Sequence, residues 1–423
     1  MAKTSETVII LGAGQAGGQC AASLRRSGFE GRIILVGEEP HPPYQRPPLS
    51  KTYLSGEIDG SRLWLQPPET WTEQGVELRL SSRAKRIDPD RKLVVFSNGR
   101  EDTYTHLVIA TGSRVRPLPV PGAELDGVRY LRSIADVDKL KADVQPGKRI
   151  AIIGGGYIGL EAASVASKLG ATPIVIEAMD RLLARVAVPE VSDFYRQAHE
   201  ARGISIRLDA QVAALKPKAG LFSRGKTVTR VELNTGEKIA CDSVLVGIGV
   251  MPNQELAAAC GLDTGNGILV DDQCRTRDPS IFAIGDCAEQ HNWLTDTRLR
   301  LESVPNALDQ AKRAAAAICA APAPKPEVPW FWSDQFDLKL QTAGLIGAQD
   351  TTITRAGDTE TPRSFFHLAD GVLIAADCIN DPQSFMAAKL MIEKRARPDP
   401  ARLADPAIAM KDVMKAALAG APA

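Results

Sequence analysis

Thr7-Val-Ile-Ile-Leu-Gly-Ala-Gly-Gln-Ala-Gly17 decides the fold. Five apolar residues in a row read as a strand buried on both faces, the kind found in parallel sheets. Three glycines spaced G-x-G-x-x-G follow at once, and a helix runs on through Arg25 to a second strand, Arg32–Val36. In such a unit the first glycine permits the tight turn and the second lets backbone approach a pyrophosphate. The third allows helix and strand to pack closely, and the helix start offers free N–H groups to phosphate. Glu38 stands 21 residues past Gly17, where an acid accepts from a ribose hydroxyl.

The pattern recurs about 140 residues later. Arg149–Ile153 is a strand, Gly154-Gly-Gly-Tyr-Ile-Gly159 the turn, Leu160–Leu169 a helix and Pro173–Ile176 the next strand. Gly154, Gly156, Tyr157, Ile158 and Gly159 form this second nucleotide turn, and Glu177 ends the strand 18 residues after Gly159. A carboxylate there favours a free ribose 2′-hydroxyl and repels a 2′-phosphate, so the expected co-substrate is NADH. Arg181 and Arg185 lie close in sequence and are the residues that would suit a phosphate instead. Two dinucleotide sites in one chain imply a reaction between two cofactors. FAD held tightly, with a nicotinamide that comes and goes, is the simplest pair, since hydride transfer needs stacking and exclusion of water more than an acid–base dyad.

Three further buried-type strands punctuate the chain: His106–Gly112, Ser243–Gly249 and Ile281–Asp286. The proline-rich stretch Ala320–Pro329 reads as an extended linker. Beyond it the pattern changes to short strands, including Lys339–Ala343, Ser364–Leu368 and Val372–Ala376, with a helical tail. The fold class is therefore α/β, with two Rossmann-like dinucleotide-binding domains and a C-terminal α+β domain. The expected boundaries are 1–115 with 247–325 for a discontinuous FAD-binding domain, 116–246 for an NADH-binding domain, and 326–423 for the last.

The 423 residues carry a formal net charge of zero, with 44% hydrophobic and 24% charged residues. No basic excess points to nucleic acid. No leader and no run of 18 apolar residues stands out, so a cytoplasmic protein off the membrane is expected. The seven cysteines are scattered without Cys-x-x-Cys spacing, and no metal site is expected.

The ordered set Gly12–Gly17, Arg46-Pro-Pro-Leu-Ser-Lys51, Tyr130-Leu-Arg132, Gly154–Gly159, Gly285-Asp286, Glu302-Ser-Val-Pro-Asn-Ala-Leu308 and Phe331-Trp-Ser-Asp-Gln335 resembles the oxygenase-coupled NADH–ferredoxin reductases over nearly the whole chain. The resemblance implies a glutathione-reductase-like flavoprotein fold. It places FAD against Gly12, Gly14, Gln15, Ala16, Gly17, Glu38, Arg46, Pro47, Lys51, Ala84, Ala110, Thr111, Gly112, Arg132, Gly285, Asp286, Val304 and Trp332. Ala16 would meet the pyrophosphate, Glu38 the adenosine ribose and Ala84 the adenine end. Arg132 and Asp286 would hold the ribityl–phosphate portion, with Val304 by the isoalloxazine. Lys51, beside the flavin and paired with Glu161, would stabilise the negative charge of reduction, and Trp332 would lie beside the ring. A surface lysine and a core tryptophan are the commoner fates of such residues.

Relatives of this architecture carry redox cysteines in the first domain, whereas His41–Lys51 has none. A dithiol relay has no residues to run on. The resemblance then implies one-electron delivery to a [2Fe–2S] ferredoxin through transient electrostatic docking, in the service of an oxygenase, plausibly a haem-thiolate monooxygenase. Arg298, Arg300, Lys312, Arg313, Lys389, Lys394 and Arg395 are candidate docking cations. An NADH oxidase or quinone-like small-molecule reductase is the alternative.

Overall fold

The computed structural model describes residues 6–217, 227–347 and 349–419. The chain divides into two compact units. One comprises 1–45, 61–114 and 251–331, the other 46–60, 115–250 and 332–423. The second dinucleotide segment and the C-terminal segment thus fall in the same unit.

The first unit is built on a five-stranded sheet in the order Ile281–Ala283, His106–Ile109, Thr7–Leu11, Arg32–Val36, Val76–Arg79. Every neighbouring pair is parallel, and Leu11 stands level with both Val36 and Ile109. Alternate side chains serve two cores. Val8, Ile10, Ile33, Leu35 and Val108 pack with Ala307, Ala311 and Ala314 on one face. Ile9, Leu11, Ile34, Val36, Leu107 and Ile109 pack with Ile87, Ala257 and Ile268 on the other. With both faces covered, the strands have no polar side to show, which is why the sequence reads as unbroken apolar runs. Alanines on the helix Val304–Ile318 face the helix Gln15–Arg26, and small side chains permit this close packing.

The second unit repeats the plan. Ser205–Arg207, Thr172–Ile176, Arg149–Ile153, Ser243–Val246 and Val128–Tyr130 form a second five-stranded sheet, parallel throughout. Its C-terminal part is a five-stranded sheet in the order Trp330–Gln335, Leu338–Gly344, Val372–Ile379, Arg363–Ala369, Thr351–Ala356, followed by helices Pro382–Glu393, Pro400–Ala404 and Met410–Ala419. Hairpin neighbours there run antiparallel. The α/β class with a C-terminal α+β part is thus present. Three small sheets were not foreseen: two antiparallel ones, Ala84–Asp88 with Leu93–Phe96 and Glu101–Thr103, and Val212–Pro217 with Val228–Leu233 and Lys238–Ala240, and a mixed one in which Ala288–Asn292 pairs parallel with Ile268–Val270 and antiparallel with Thr297–Leu299. Among the described residues no helix is long and apolar enough to cross a membrane.

Candidate functional site: two phosphate turns and a buried lysine–carboxylate pair

Each glycine of the first turn has a separate geometric role. Gly12 has φ +122°, and a Cβ there would lie 2.0 Å from the Ala110 carbonyl oxygen. A Cβ on Gly17 would lie 1.9 Å from the Gly12 carbonyl oxygen. Both must be glycine for the chain to close on itself. Gly14 differs, since a Cβ there would meet nothing within 4 Å. It is also the N-cap of the helix Gln15–Arg26, and no side chain caps that helix. An open approach to uncapped N–H groups fits a dinucleotide phosphate. Gln15 and Ala16 open the helix, and Gly285, at φ +75°, leaves only 2.9 Å between an added Cβ and the Ala16 methyl carbon.

The surrounding candidates in this unit are held by partners the sequence did not advertise. Asp286 accepts from the Ser113 hydroxyl at 2.8 Å, and the Gly285 N–H donates to the Gln310 side chain at 2.7 Å. Thr111 donates through its hydroxyl to the Asn253 carbonyl at 2.7 Å, and the Asn253 amide returns a bond to the Thr111 carbonyl at 2.9 Å. Gly112 accepts from the Asn253 N–H at 2.9 Å. Ser113, Asn253 and Gln310 are long-range partners with no motif of their own. Glu38 is exposed and lies 3.3 Å from the Arg83 guanidinium. Ala84 opens an edge strand, and Val304 begins its helix under a Ser303 cap.

The second turn shows the same division of labour. A Cβ on Gly154 would lie 2.4 Å from the Gly247 oxygen, and one on Gly159 would lie 2.1 Å from the Gly154 oxygen. One on Gly156 would meet nothing within 4 Å, and the helix Tyr157–Lys168 that follows has no side-chain cap. The Glu177 carboxylate accepts from the Gly155 N–H at 2.6 Å and from the Met179 N–H at 2.8 Å. It therefore splints the turn as well as presenting charge. Arg181 donates to the Ala184 carbonyl at 3.1 Å, and Arg185 lies over Gly249. Ile158 is an exposed apolar residue directly after Tyr157.

The densest polar constellation lies in the same unit. Pro47 and Pro48 start a short 3₁₀ turn, Pro47–Ser50. The chain breaks direction at Lys51 and re-enters helix over Thr52–Ser55. Fixed proline φ angles set that turn. Lys51 Nζ lies 2.8 Å from the Glu161 carboxylate, and their side chains are only 15% and 5% exposed. Ser50 donates to the other Glu161 oxygen at 2.6 Å, and Ser333 donates to the first at 2.6 Å. A buried carboxylate costs several kcal/mol to desolvate unless it is paired and hydrogen-bonded, and this one has all three donors. Arg46 donates to the Arg132 backbone carbonyl, which ties the segment to the strand–helix junction before Ile134. Tyr53 donates to Asp138 at 2.7 Å, and burial, then this bond, pushes its phenol up to about 12. Trp332 lies in the strand Trp330–Gln335, half-buried, one residue before Ser333.

Residues 6–311 match the family model for pyridine nucleotide-disulphide oxidoreductase, and residues 330–414 match the reductase C-terminal model. The chain belongs to this family. A probable ferredoxin reductase, CtmF, of Castellaniella defragrans is 46% identical over 96% of this chain and 98% of its own. The putidaredoxin reductase of the covalent putidaredoxin reductase–putidaredoxin complex superposes with a TM-score of 0.94 at 38% identity, covering 98% of this chain and 99% of that one. The ferredoxin reductase for the CYP199A2 system of Rhodopseudomonas palustris gives 0.91 at 40% identity, over 98% and 100%. The reductase is accordingly a flavoprotein oxidoreductase of the ferredoxin-reductase kind.

All seven cysteines of the reductase are free thiols, five of them buried. Burial pushes Cys20 up to about 12 and Cys241 up to about 11, the reverse of an activated thiolate. Among the described residues no cluster could hold a metal ion. Two of the candidate docking cations are turned inward. The Arg300 side chain is 7% exposed, bound to Glu302 and the Asp286 carbonyl, and that of Arg313 is 9% exposed, bound to Asp309. Neither is free to meet a partner. Arg298, Lys312, Lys394 and Arg395 are exposed.

Proposed function

We propose that the reductase takes hydride from NADH onto tightly bound FAD. It then passes the electrons one at a time to a [2Fe–2S] ferredoxin that serves an oxygenase, a haem-thiolate monooxygenase being the expected terminal enzyme. The observation that carries this reading is the Lys51–Glu161 pair in a stretch without cysteine. A cation held in low dielectric beside a flavin stabilises the charge that accumulates on reduction. With no thiol in that stretch to relay electron pairs, the electrons leave to an acceptor outside the chain.

FAD supplies the ability to accept two electrons together and release them singly. The residues supply the rest. In this reading the uncapped helix start after Gly14, with Gln15 and Ala16, receives the pyrophosphate, Glu38 the ribose, and Asp286 and Arg132 the ribityl–phosphate portion. Lys51, Val304 and Trp332 attend the ring, and Ala110, Thr111 and Gly112 also meet FAD. The turn Gly154–Gly159 receives the NADH pyrophosphate, and Glu177 selects a free 2′-hydroxyl. Segments 1–115 with 247–325, 116–246 and 326–423 serve as FAD, NADH and C-terminal domains.

The test is NADH consumption by the purified flavoprotein with and without a [2Fe–2S] ferredoxin and a terminal one-electron acceptor. Strong dependence on the ferredoxin, weakened by salt, is expected for a transient electrostatic pair. Equal consumption without it, with oxygen or a quinone disappearing in step, would replace this reading with an oxidase or small-molecule reductase.

A further inference from the structure

The hydrogen bonds around Glu161 do not stop at Ser333. Gln335 donates through its side-chain nitrogen to Ser333 Oγ at 3.1 Å, and its oxygen lies 2.8 Å from His199 Nε2. Ser333, Gln335 and His199 are each fully buried, at 0% exposure. The line runs from His199 on the helix Pro189–Ala201 through Gln335 and Ser333 to Glu161 on the helix Tyr157–Lys168, and these four residues lie in one compact unit.

The line has a direction. The Ser333 hydroxyl gives its one proton to Glu161, so it must accept from Gln335. The amide nitrogen of Gln335 is thereby committed, which leaves its oxygen to accept from His199, and the proton of that ring sits on Nε2. His199 Nδ1 is buried without a hydrogen-bond partner among the described residues, as a bare lone pair would be. Every donor thus points toward the Glu161 carboxylate, and successive bonds in such a chain polarise one another.

We propose that Ser333, Gln335 and His199, with Ser50, form a one-way donor line that holds the Glu161 carboxylate in place, and that they are positioning residues for Lys51. The inference rests on the reading that Lys51 serves the flavin. The titratable groups acting on this line are Lys51 from the 3₁₀ segment, Tyr157 on the helix of Glu161, Tyr195 and Arg202 beside His199, and Asp334 and Asp377 from the C-terminal sheet. Lys51 meets Glu161 directly, and the direction of the line is set by the Gln335 side chain.

Gln335→Glu tests this with little change of volume. As a neutral acid, the introduced side chain donates to Ser333 as the amide does. Once ionised it can only accept, and it draws the Ser333 hydroxyl away from Glu161. NADH-driven flavin bleaching should therefore match the parent at low pH. It should fall roughly tenfold as pH rises through a transition the parent lacks, the loss of one charge-assisted bond. The flavin midpoint potential should shift across the same pH span. Ser333→Ala should show the roughly tenfold loss at every pH without a new transition. It decides the matter if the first variant does not fold. Parental pH profiles and midpoints in a folded, flavin-loaded variant would overturn the proposal. Independently of flavin chemistry, the ¹⁵N-histidine spectrum, with His199 assigned by its loss in His199→Gln, should show a neutral ring protonated on Nε2. A proton on Nδ1 would overturn the direction of the line. A parent that binds no flavin, or whose flavin NADH does not bleach, defeats the reading of the site, while the histidine spectrum still judges the line.

Discussion

Lys51 Nζ and the Glu161 carboxylate meet at 2.8 Å with almost no water around them. Breaking such a pair from one side strands the other charge, at a cost of about 3 kcal/mol. Lys51→Met should lower unfolding stability by about that amount, read by urea denaturation. With the cation gone, flavin reduction at saturating NADH should slow by about a hundredfold, as when one preorganised electrostatic donor is removed. Glu161→Gln strands the Lys51 ammonium instead, and because Lys51 is the more exposed of the two, it should cost less stability. Stopped-flow bleaching of the flavin separates the two effects.

The repeated nucleotide unit was legible because it is local. The strand, turn, helix and acid all fall within about thirty residues, and period and spacing carry them. Glu161 and Lys51 were reached only through resemblance, and what fixes them was not legible at all. Ser50, Ser333 and Gln335 are ordinary polar residues, and their common role appears only when three distant segments converge. The same holds for Ser113 and Gln310 around Gly285-Asp286. The buried Arg300 and Arg313 make the converse point. Sequence gives charge but not direction, and both guanidinium groups satisfy partners inside the protein. The small sheets escaped because their strands are short, mixed in polarity and register-shifted in two cases.

His199 gives a pH dependence of stability. Burial pushes its ring down to about 4 from an ordinary 6.5, outweighing the Gln335 bond, which pulls it up. The unfolded chain therefore binds a proton that the folded chain refuses between those values, and stability rises with pH across that window. As pH falls from 6.5 toward 4, roughly 3 kcal/mol of stability should be lost through this one residue. His199→Gln should flatten that part of the curve. Urea midpoints measured at half-unit steps would show it, and an unchanged slope would dispose of the assignment.

Glu177 has two tasks, and a single substitution separates them. Its carboxylate bonds the Gly155 and Met179 N–H groups and, in the proposed reading, accepts from the NADH ribose. Glu177→Ala should lower kcat/KM for NADH about tenfold, the worth of one lost hydrogen bond to a charged group. NADPH, which gains relief from repulsion, should lose less, so the ratio between the two narrows. Glu177→Gln keeps an acceptor for one turn N–H and removes the charge, so it should narrow the ratio with a smaller loss on NADH. An unchanged ratio in both variants would remove Glu177 from cofactor choice.

The glycines of the two turns divide into those that serve the chain and those that serve a ligand. Gly12→Ala puts a methyl 2.0 Å from a backbone oxygen at a φ of +122°, so the turn must open and the end of the central strand with it. That variant should be recovered poorly or with a strongly lowered Tm. Gly156→Val has no such conflict, because a Cβ at Gly156 meets nothing within 4 Å of protein. Its Tm as the isolated flavoprotein should fall by only a few degrees, since valine in place of an N-cap glycine costs on the order of 1 kcal/mol. The branched side chain would instead fill the space from which the pyrophosphate reaches the helix N–H groups, and KM for NADH should rise by at least about tenfold. A Gly156→Val protein with the parental KM would show that the second turn is a structural turn and that NADH binds elsewhere.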